Sequence, residues 1–124
     1  MSKRTPLKSR EWRLYLDDML DGCQAVRTFT SDMTSIEEFT NNRMAYDATL
    51  RNLQNIGEAA MHVPDDKRLL LPSIDWRGII VVRHVLVHGY AVINDTTIWE
   101  IIQHRIPDLE AQLGTFLAQH NEGG

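Results

Sequence analysis

Apolar side chains recur along this chain at intervals of three and four residues, the spacing of one face of an α-helix. The first such stripe predicts a helix over about residues 9–29, carried by Trp12, Leu16, Met19, Cys23 and Val26. A polar break follows at residues 31–35. Ser35 and Glu38 then have the spacing of a capping box, and they predict a second helix that ends near His62.

The second predicted helix has its own apolar stripe, formed by Phe39, Tyr46, Leu50, Leu53 and Ala60. Gly57 lies on this stripe. Glycine costs about 1 kcal/mol of helix propensity relative to alanine, so its position predicts the close approach of another helix. The connection that follows, residues 64–73, has proline near each end and room for one helical turn.

The segment from Asp75 to Gly89 gives two conflicting signals. Residues 79–93 hold eight valines and isoleucines, and this composition favours a β-strand. The apolar run is about 14 residues long, however, and a strand usually has 4–8. Asp75 suits a helix N-cap and Gly89 a left-handed helix end. We therefore predict a central helix that is buried on most sides.

The last part of the chain predicts a helical hairpin. Asp95 is the expected N-cap of its first helix, and Pro107 is expected to open the second, since proline suits a first turn. The whole sequence thus predicts an all-α bundle of about five helices. We assign residues 9–119 to the domain, residues 1–8 to a flexible basic arm and residues 120–124 to a frayed tail.

The formal net charge of -4 argues against nonspecific coating of nucleic acid. The charge is unevenly distributed, because residues 1–13 hold five basic side chains and one acidic one. This arm could contact RNA or an acidic partner, or be a solvated tail. Cys23 is the single cysteine, no apolar run reaches the length of a membrane helix, and the N-terminus lacks a signal-peptide core. We therefore expect a cytoplasmic protein with no membrane association.

The candidate chemistry lies at the end of the third helix. Arg83 interrupts an apolar run that ends in His88, Gly89 and Tyr90. A buried guanidinium without a partner is costly, whereas a cation beside an imidazole can stabilise an anion and move a proton. Arg83 and His88 are therefore the candidate catalytic residues. His84, one turn before His88, is a possible pocket residue.

Each of these residues also has a structural interpretation. Arg83 could pair with a core carboxylate, Asp47 or Glu58, and His88 could interact with the dipole at the helix C-terminus. His84 could be a surface or interface histidine. The remaining histidines have no metal-ligand spacing, so we expect no metal site and no cofactor.

The Arg-x4-His-x-Tyr spacing of Arg83, His88 and Tyr90 resembles the signature of the HEPN superfamily of helical ribonucleases, in particular its HepT-like toxin branch. The resemblance covers roughly residues 10–118 and includes three further segments that match in order: Asp47–Leu53, Ile56–Ala60 and Trp99–Ile102. Two positions depart from the family pattern. His84 replaces the common Asn or Asp after the arginine, and Gly89 stands where a polar residue is frequent.

The resemblance implies a homodimeric helical bundle that acts as a metal-independent ribonuclease toxin on cellular RNA, tRNA or mRNA. It also implies a partner antitoxin, an MntA-like minimal nucleotidyltransferase. This enzyme silences the toxin by attaching AMP to the signature tyrosine, which corresponds to Tyr90. AMP there would block the phosphate site beside Arg83.

Helix geometry adds a constraint to the catalytic interpretation. Residues five apart are rotated by about 140° and separated by about 7.5 Å along one helix. A symmetric dimer, with two copies of Arg83 and His88 in one cleft, would overcome this separation. A non-catalytic helical module that serves as docking subunit or substrate of a nucleotidyltransferase is the alternative. A bundle that binds a small anionic ligand through Arg83 is a third.

Overall fold

The computed structural model describes residues 4–89 and 93–120, and over these ranges it is helical and has no strand. The α-helices are α1 (Arg4–Thr30), α2 (Ile36–Asn41), α3 (Arg43–Met61), α4 (Asp65–Arg68), α5 (Trp76–His88), α6 (Asp95–Glu100) and α7 (Ile106–Gln119), with a π-helical segment, Ile101–Arg105, between the last two. The all-α prediction is confirmed. Within the same ranges, no helix has both the length and the apolarity needed to span a bilayer.

The core lies where α3 and α7 pack on α1. The predicted stripe of α1 is confirmed, because Leu16, Met19, Cys23 and Val26 are all fully buried. The helix itself begins at Arg4, five residues before the predicted start. Burial is also the main reason that the pKa of the Cys23 thiol is raised to about 12, with a smaller contribution from the charge of Glu110.

The single second helix predicted for residues 36–62 is wrong, because the chain breaks at Asn42 into α2 and α3. Asn42 has an extended backbone, and its side chain accepts a hydrogen bond from the amide of Ala45. An asparagine side chain competes in this way with helical hydrogen bonding. At the start of α2, Ser35 caps the Glu38 amide as predicted. The Glu38 carboxylate accepts from the amide of Thr34, one residue before the expected partner.

The predicted C-terminal hairpin is also wrong. From α6 to α7 the chain stays helical, and the Ile106 amide donates to the carbonyl of Ile101 in the wider π turn. Pro107 lies in the first turn of α7 as expected. A proline inside an α-helix removes one hydrogen bond and clashes with an earlier carbonyl, and a π turn just before it lets the helix continue.

The N-cap of α6 is Asn94 and not Asp95, since the Asn94 side chain accepts from the amide of Thr97. Asp95 lies in the first turn, where its carboxylate accepts a hydrogen bond of 2.6 Å from the Tyr46 hydroxyl. This hydrogen bond is the main reason that the pKa of Tyr46 is raised. It joins α6 to α3.

The third predicted helix is confirmed as α5, but its predicted burial on most sides is wrong. Only Trp76 is buried, although most of the helix is apolar. The helix packs on α3, which covers one side. On the other side, Val81 is 51% exposed and Val87 is 40% exposed. One neighbouring helix is too little to cover so many apolar side chains.

The predicted close approach at Gly57 is confirmed. A Cβ atom built on Gly57 would lie 2.2 Å from Cβ of Arg83 and 3.1 Å from the carbonyl oxygen of Ile79. Both atoms belong to the stiff part of α5, so neither can move aside alone. Glycine at this position is what lets α5 lie directly against α3.

Alanine at Gly57 should therefore destabilise the protein, by about 1–3 kcal/mol as for other overpacked cores. The matched control is Gly114→Ala in α7, where an added Cβ meets nothing within 4 Å. That change should be neutral or stabilising by up to about 1 kcal/mol. Urea unfolding of the two variants measures both effects, and equal stability of Gly57→Ala and the unaltered protein would contradict the packing argument.

Candidate functional site

The first turn of α5 is fixed by Asp75. Its carboxylate accepts hydrogen bonds from the Gly78 amide at 3.0 Å and from Nη2 of Arg105 at 2.8 Å. These two bonds, the Arg105 bond first, hold the pKa of Asp75 below its usual range. The N-cap prediction is confirmed. The ion pair also joins the start of α5 to the π-helical segment.

The last turn of α5 ends as predicted at Gly89. This residue has φ 67° and ψ 10°, the left-handed conformation, and its amide donates to the carbonyl of Val85. Left-handed backbone strongly favours glycine. Tyr90 follows directly in the sequence and lies outside the described residues, so its predicted modification stays a prediction.

Arg83 lies on the side of α5 that faces α3, and its side chain is 21% exposed. Its Nη2 lies 2.8 Å from Oε1 of Glu58, so Glu58 is the carboxylate beside it. The other candidate, Asp47, pairs instead with Arg43 at 3.3 Å. Nε of Arg83 is buried and has no hydrogen-bond partner among the described residues.

His88 and His84 lie side by side on α5. Their ring centroids are 4.2 Å apart, with the ring planes inclined by 56°. Both residues are exposed. At about 100° per residue, these histidines lie between Val81 and Val87 around the helix, on the side that α3 leaves open. Two imidazoles and a guanidinium therefore occupy the last two turns of one helix.

Glu58 and His62 are residues of this region that the sequence analysis missed as a pair. Nε2 of His62 lies 4.0 Å from Oε2 of Glu58, and the imidazole stacks on the ring of Tyr15 at a centroid distance of 4.8 Å. Glu58 thus stands between Arg83 and His62. The signal available in the sequence was the four-residue spacing of Glu58 and His62, which makes them neighbours on a helix.

The two tryptophans near the site pack in or against the core. Trp76 is buried, and its indole N–H donates to the carbonyl of Leu71. Trp99 is half-buried, with its ring centroid 5.7 Å from that of Phe39. The Trp76 ring is therefore not free to stack on a base. Over residues 4–89 and 93–120, no three His, Cys, Asp or Glu side chains are grouped to hold a metal ion.

An all-α bundle with arginine and histidine five residues apart at the end of an edge helix has the architecture expected of a HEPN-type protein. A family model described as "Ribonuclease HepT-like" matches residues 19–116, which is most of the chain. The chain belongs to the HepT-like ribonuclease family of the HEPN superfamily. The resemblance stated from the sequence is thereby confirmed.

Individual relatives agree with this assignment. A protein of Methanocaldococcus jannaschii named "Putative RNase" is 30% identical over 107 residues, 86% of this chain and 97% of the relative. Another protein with that name, from Caldanaerobacter subterraneus subsp. tengcongensis, is 32% identical and covers 85% of this chain and 93% of its own length. The "Probable ribonuclease HepT" of Thermococcus cleftensis is 29% identical, with 83% and 93% coverage. No solved structure gives a significant match.

Proposed function

We propose that this chain is a metal-independent endoribonuclease and the toxin of a toxin–antitoxin pair. The observation that carries the proposal is the placement of Arg83 and His88 at the open end of α5 in a member of the HepT-like family. The names of the relatives, which describe ribonucleases, support the same activity. The proposed substrate is cellular RNA.

In the proposed reaction, the ribose 2′-oxygen attacks the adjacent phosphorus and the bond from phosphorus to the 5′-oxygen breaks. The products are a 2′,3′-cyclic phosphate and a free 5′-hydroxyl. His88 removes the 2′-OH proton or protonates the departing oxygen, and Arg83 stabilises the charged phosphorane. His88 performs one of these two proton transfers, and the other needs a second group. His84, or the His88 of a second copy, can supply it.

A homodimer suits this chemistry and also suits α5. The exposed side of α5 carries Val81, His84, Val87 and His88 together, so apolar contact between two copies would bring the histidines to the interface. Exposed apolar surface of this kind commonly marks a protein contact. The dimer would place two copies of Arg83 and His88 in one cleft.

A charge at Val81 should separate the dimer without unfolding the protomer, because this side chain is half-exposed within one chain. The unaltered protein should sediment at about twice the 14.3 kDa chain mass. Val81→Glu should sediment as a monomer with unchanged far-UV circular dichroism. The matched control is Leu14→Glu, at an exposed leucine of α1, which should remain dimeric. A monomeric unaltered protein with full activity would refute the shared cleft.

Loss of His88 or Arg83 should abolish RNA cleavage and toxicity. His88→Ala removes a proton-transfer group worth about 10²–10⁴-fold in rate, and Arg83→Ala removes the phosphate clamp. Cleavage of RNA by the unaltered protein in EDTA, with analysis of the 3′ ends, tests metal independence and the cyclic phosphate together. Folded variants that still arrest growth and cleave RNA would overturn the assignment, and strict dependence on a divalent cation would overturn metal independence.

Tyr90 is proposed as the switch. An MntA-like nucleotidyltransferase antitoxin would transfer AMP from ATP, with the tyrosine oxygen attacking the α-phosphorus and pyrophosphate leaving. The left-handed turn at Gly89 favours this proposal, because it ends α5 directly before Tyr90 in the sequence. The attached phosphodiester would repel RNA and compete for Arg83.

Tyr90→Phe should remain toxic and resist the antitoxin, because it keeps the ring and removes the nucleophilic oxygen. After co-expression with an MntA-like nucleotidyltransferase, the intact mass of the unaltered protein should rise by one or more AMP units. Tyr15→Phe and Tyr46→Phe are the controls and should be modified normally. Neutralisation of Tyr90→Phe, or modification mapped to another tyrosine, would refute the switch.

A non-catalytic docking or substrate subunit for a nucleotidyltransferase is the second candidate function. The contact between Arg83 and Glu58 favours it, since an arginine with a carboxylate partner has a structural explanation. Growth arrest on expression of the chain alone separates the two candidates. A dimer that accepts AMP on Tyr90 but neither arrests growth nor cleaves RNA would establish the second.

A further inference from the structure

Glu58 is placed to control the orientation of Arg83. We propose that Glu58 is a positioning residue, which holds the Arg83 guanidinium so that its N–H groups face the phosphate of a bound RNA. The inference rests on the proposed ribonuclease function and extends it to a residue on a different helix. Glu58 itself touches no reacting atom in this proposal.

The stem of Arg83 is fixed by the backbone of α3. A Cβ on Gly57 would lie 2.2 Å from Cβ and 2.9 Å from Cγ of Arg83, so these two carbons rest directly on the glycine. Only the torsions beyond Cγ can still turn the guanidinium. Glu58, the residue after Gly57, contacts the far end at Nη2. Two consecutive residues of α3 thus hold both ends of this side chain.

The contact with Glu58 involves one nitrogen of the Arg83 guanidinium, Nη2. Nη2 of Arg105 lies 2.8 Å from Asp75 and makes a directed hydrogen bond to it. Nη2 of Arg83 lies at the same distance from Oε1 of Glu58, and Nε of Arg83 has no hydrogen-bond partner among the described residues. A guanidinium that is held at one nitrogen keeps further N–H groups for a phosphate, and a fixed orientation favours charge-assisted hydrogen bonds to it.

Glu58 is itself held from its other side. Its second oxygen lies 4.0 Å from Nε2 of His62, and Tyr15 packs flat against the imidazole. The side chain of Glu58 is 51% exposed, and ion pairs in such solvent-accessible places contribute little to stability. Its removal should therefore change the placement of Arg83 much more than the folding of the bundle.

The test compares Glu58→Ala, Glu58→Gln and Glu58→Asp with Asp47→Ala. Asp47 is a matched control, because it is also an α3 carboxylate paired with an arginine, Arg43. Steady-state cleavage of a short RNA by each dimer gives kcat and KM, and thermal unfolding follows stability. Misplacement of a catalytic group by about 1 Å can cost on the order of 10²-fold.

We expect Glu58→Ala to lower kcat by about 10- to 100-fold with little change in KM or melting temperature. Glu58→Asp should restore part of the rate, because it keeps the charge, and Glu58→Gln should fall between Asp and Ala. Asp47→Ala should keep the unaltered rate. A Glu58→Ala variant with undiminished or increased kcat would overturn the inference and leave the ribonuclease function standing.

A second measurement does not depend on activity. In protein labelled with ¹⁵N-arginine, the side-chain signals of Arg83, assigned with Arg83→Lys, report the rotation of its guanidinium. Restricted rotation in the unaltered protein and faster rotation in Glu58→Ala are expected. Equal mobility in both would refute positioning. If the unaltered protein cleaves no RNA, the proposed function fails, and this measurement still decides whether Glu58 holds Arg83.

Discussion

The contact between Gly57 of α3 and the stem of Arg83 on α5 is the constraint on which the candidate site depends. Where a side chain would normally separate two helices, this protein has only a backbone, and the space is taken by the first carbons of an arginine. The distance between the helices and the position of the first side-chain carbons of Arg83 are therefore set by the same atoms. A shift of α5 to relieve this contact would displace Arg83 as well.

The second property of α5 is the contrast between its two sides. Towards α3 it presents Arg83 to a carboxylate, and away from α3 it presents valines and two histidines to solvent. In one chain only Trp76 of α5 is fully buried, and its other apolar side chains are partly or largely exposed. The exposed valines of α5 favour contact with another apolar surface, and the two histidines that could transfer protons lie between them. The same side of α5 is therefore the candidate for both a protein contact and the chemistry.

Much of the fold could be predicted because the strongest signals are local. α5 was predicted as a helix despite its strand propensity, because its apolar run is too long for a strand and is flanked by the capping residues Asp75 and Gly89. In α1, the apolar residues spaced three and four apart identified the buried side of the helix. The partner of Arg83 could only be narrowed to Asp47 or Glu58, since a choice between two carboxylates on one helix depends on how the helices are oriented. The rotation that brings Glu58 to Arg83 is a property of the packed bundle.

The wrong predictions share another cause, which is competition between neighbouring residues for one structural role. Asn42 interrupts a helix that the apolar stripe alone would continue, and Asn94 takes the cap expected of Asp95, which is occupied by the Tyr46 hydroxyl. The predicted burial of α5 failed for a different reason. The apolar composition of α5 indicates that its surface favours burial, but it does not show whether the same chain provides enough contacts to bury it.

The π-helical segment before Pro107 has a consequence for the direction of the last helix. A π turn accommodates one more residue than an α turn, so every residue after it is shifted around the axis by about 100° relative to a regular α-helix. α6 packs on α2, while α7 packs on α1. The extra residue rotates the apolar side of α7 relative to that of α6, so that one continuous helix contacts α2 with its first part and α1 with its last part. Deletion of a single residue there would turn the side of Leu109, Leu113 and Phe116 away from the core.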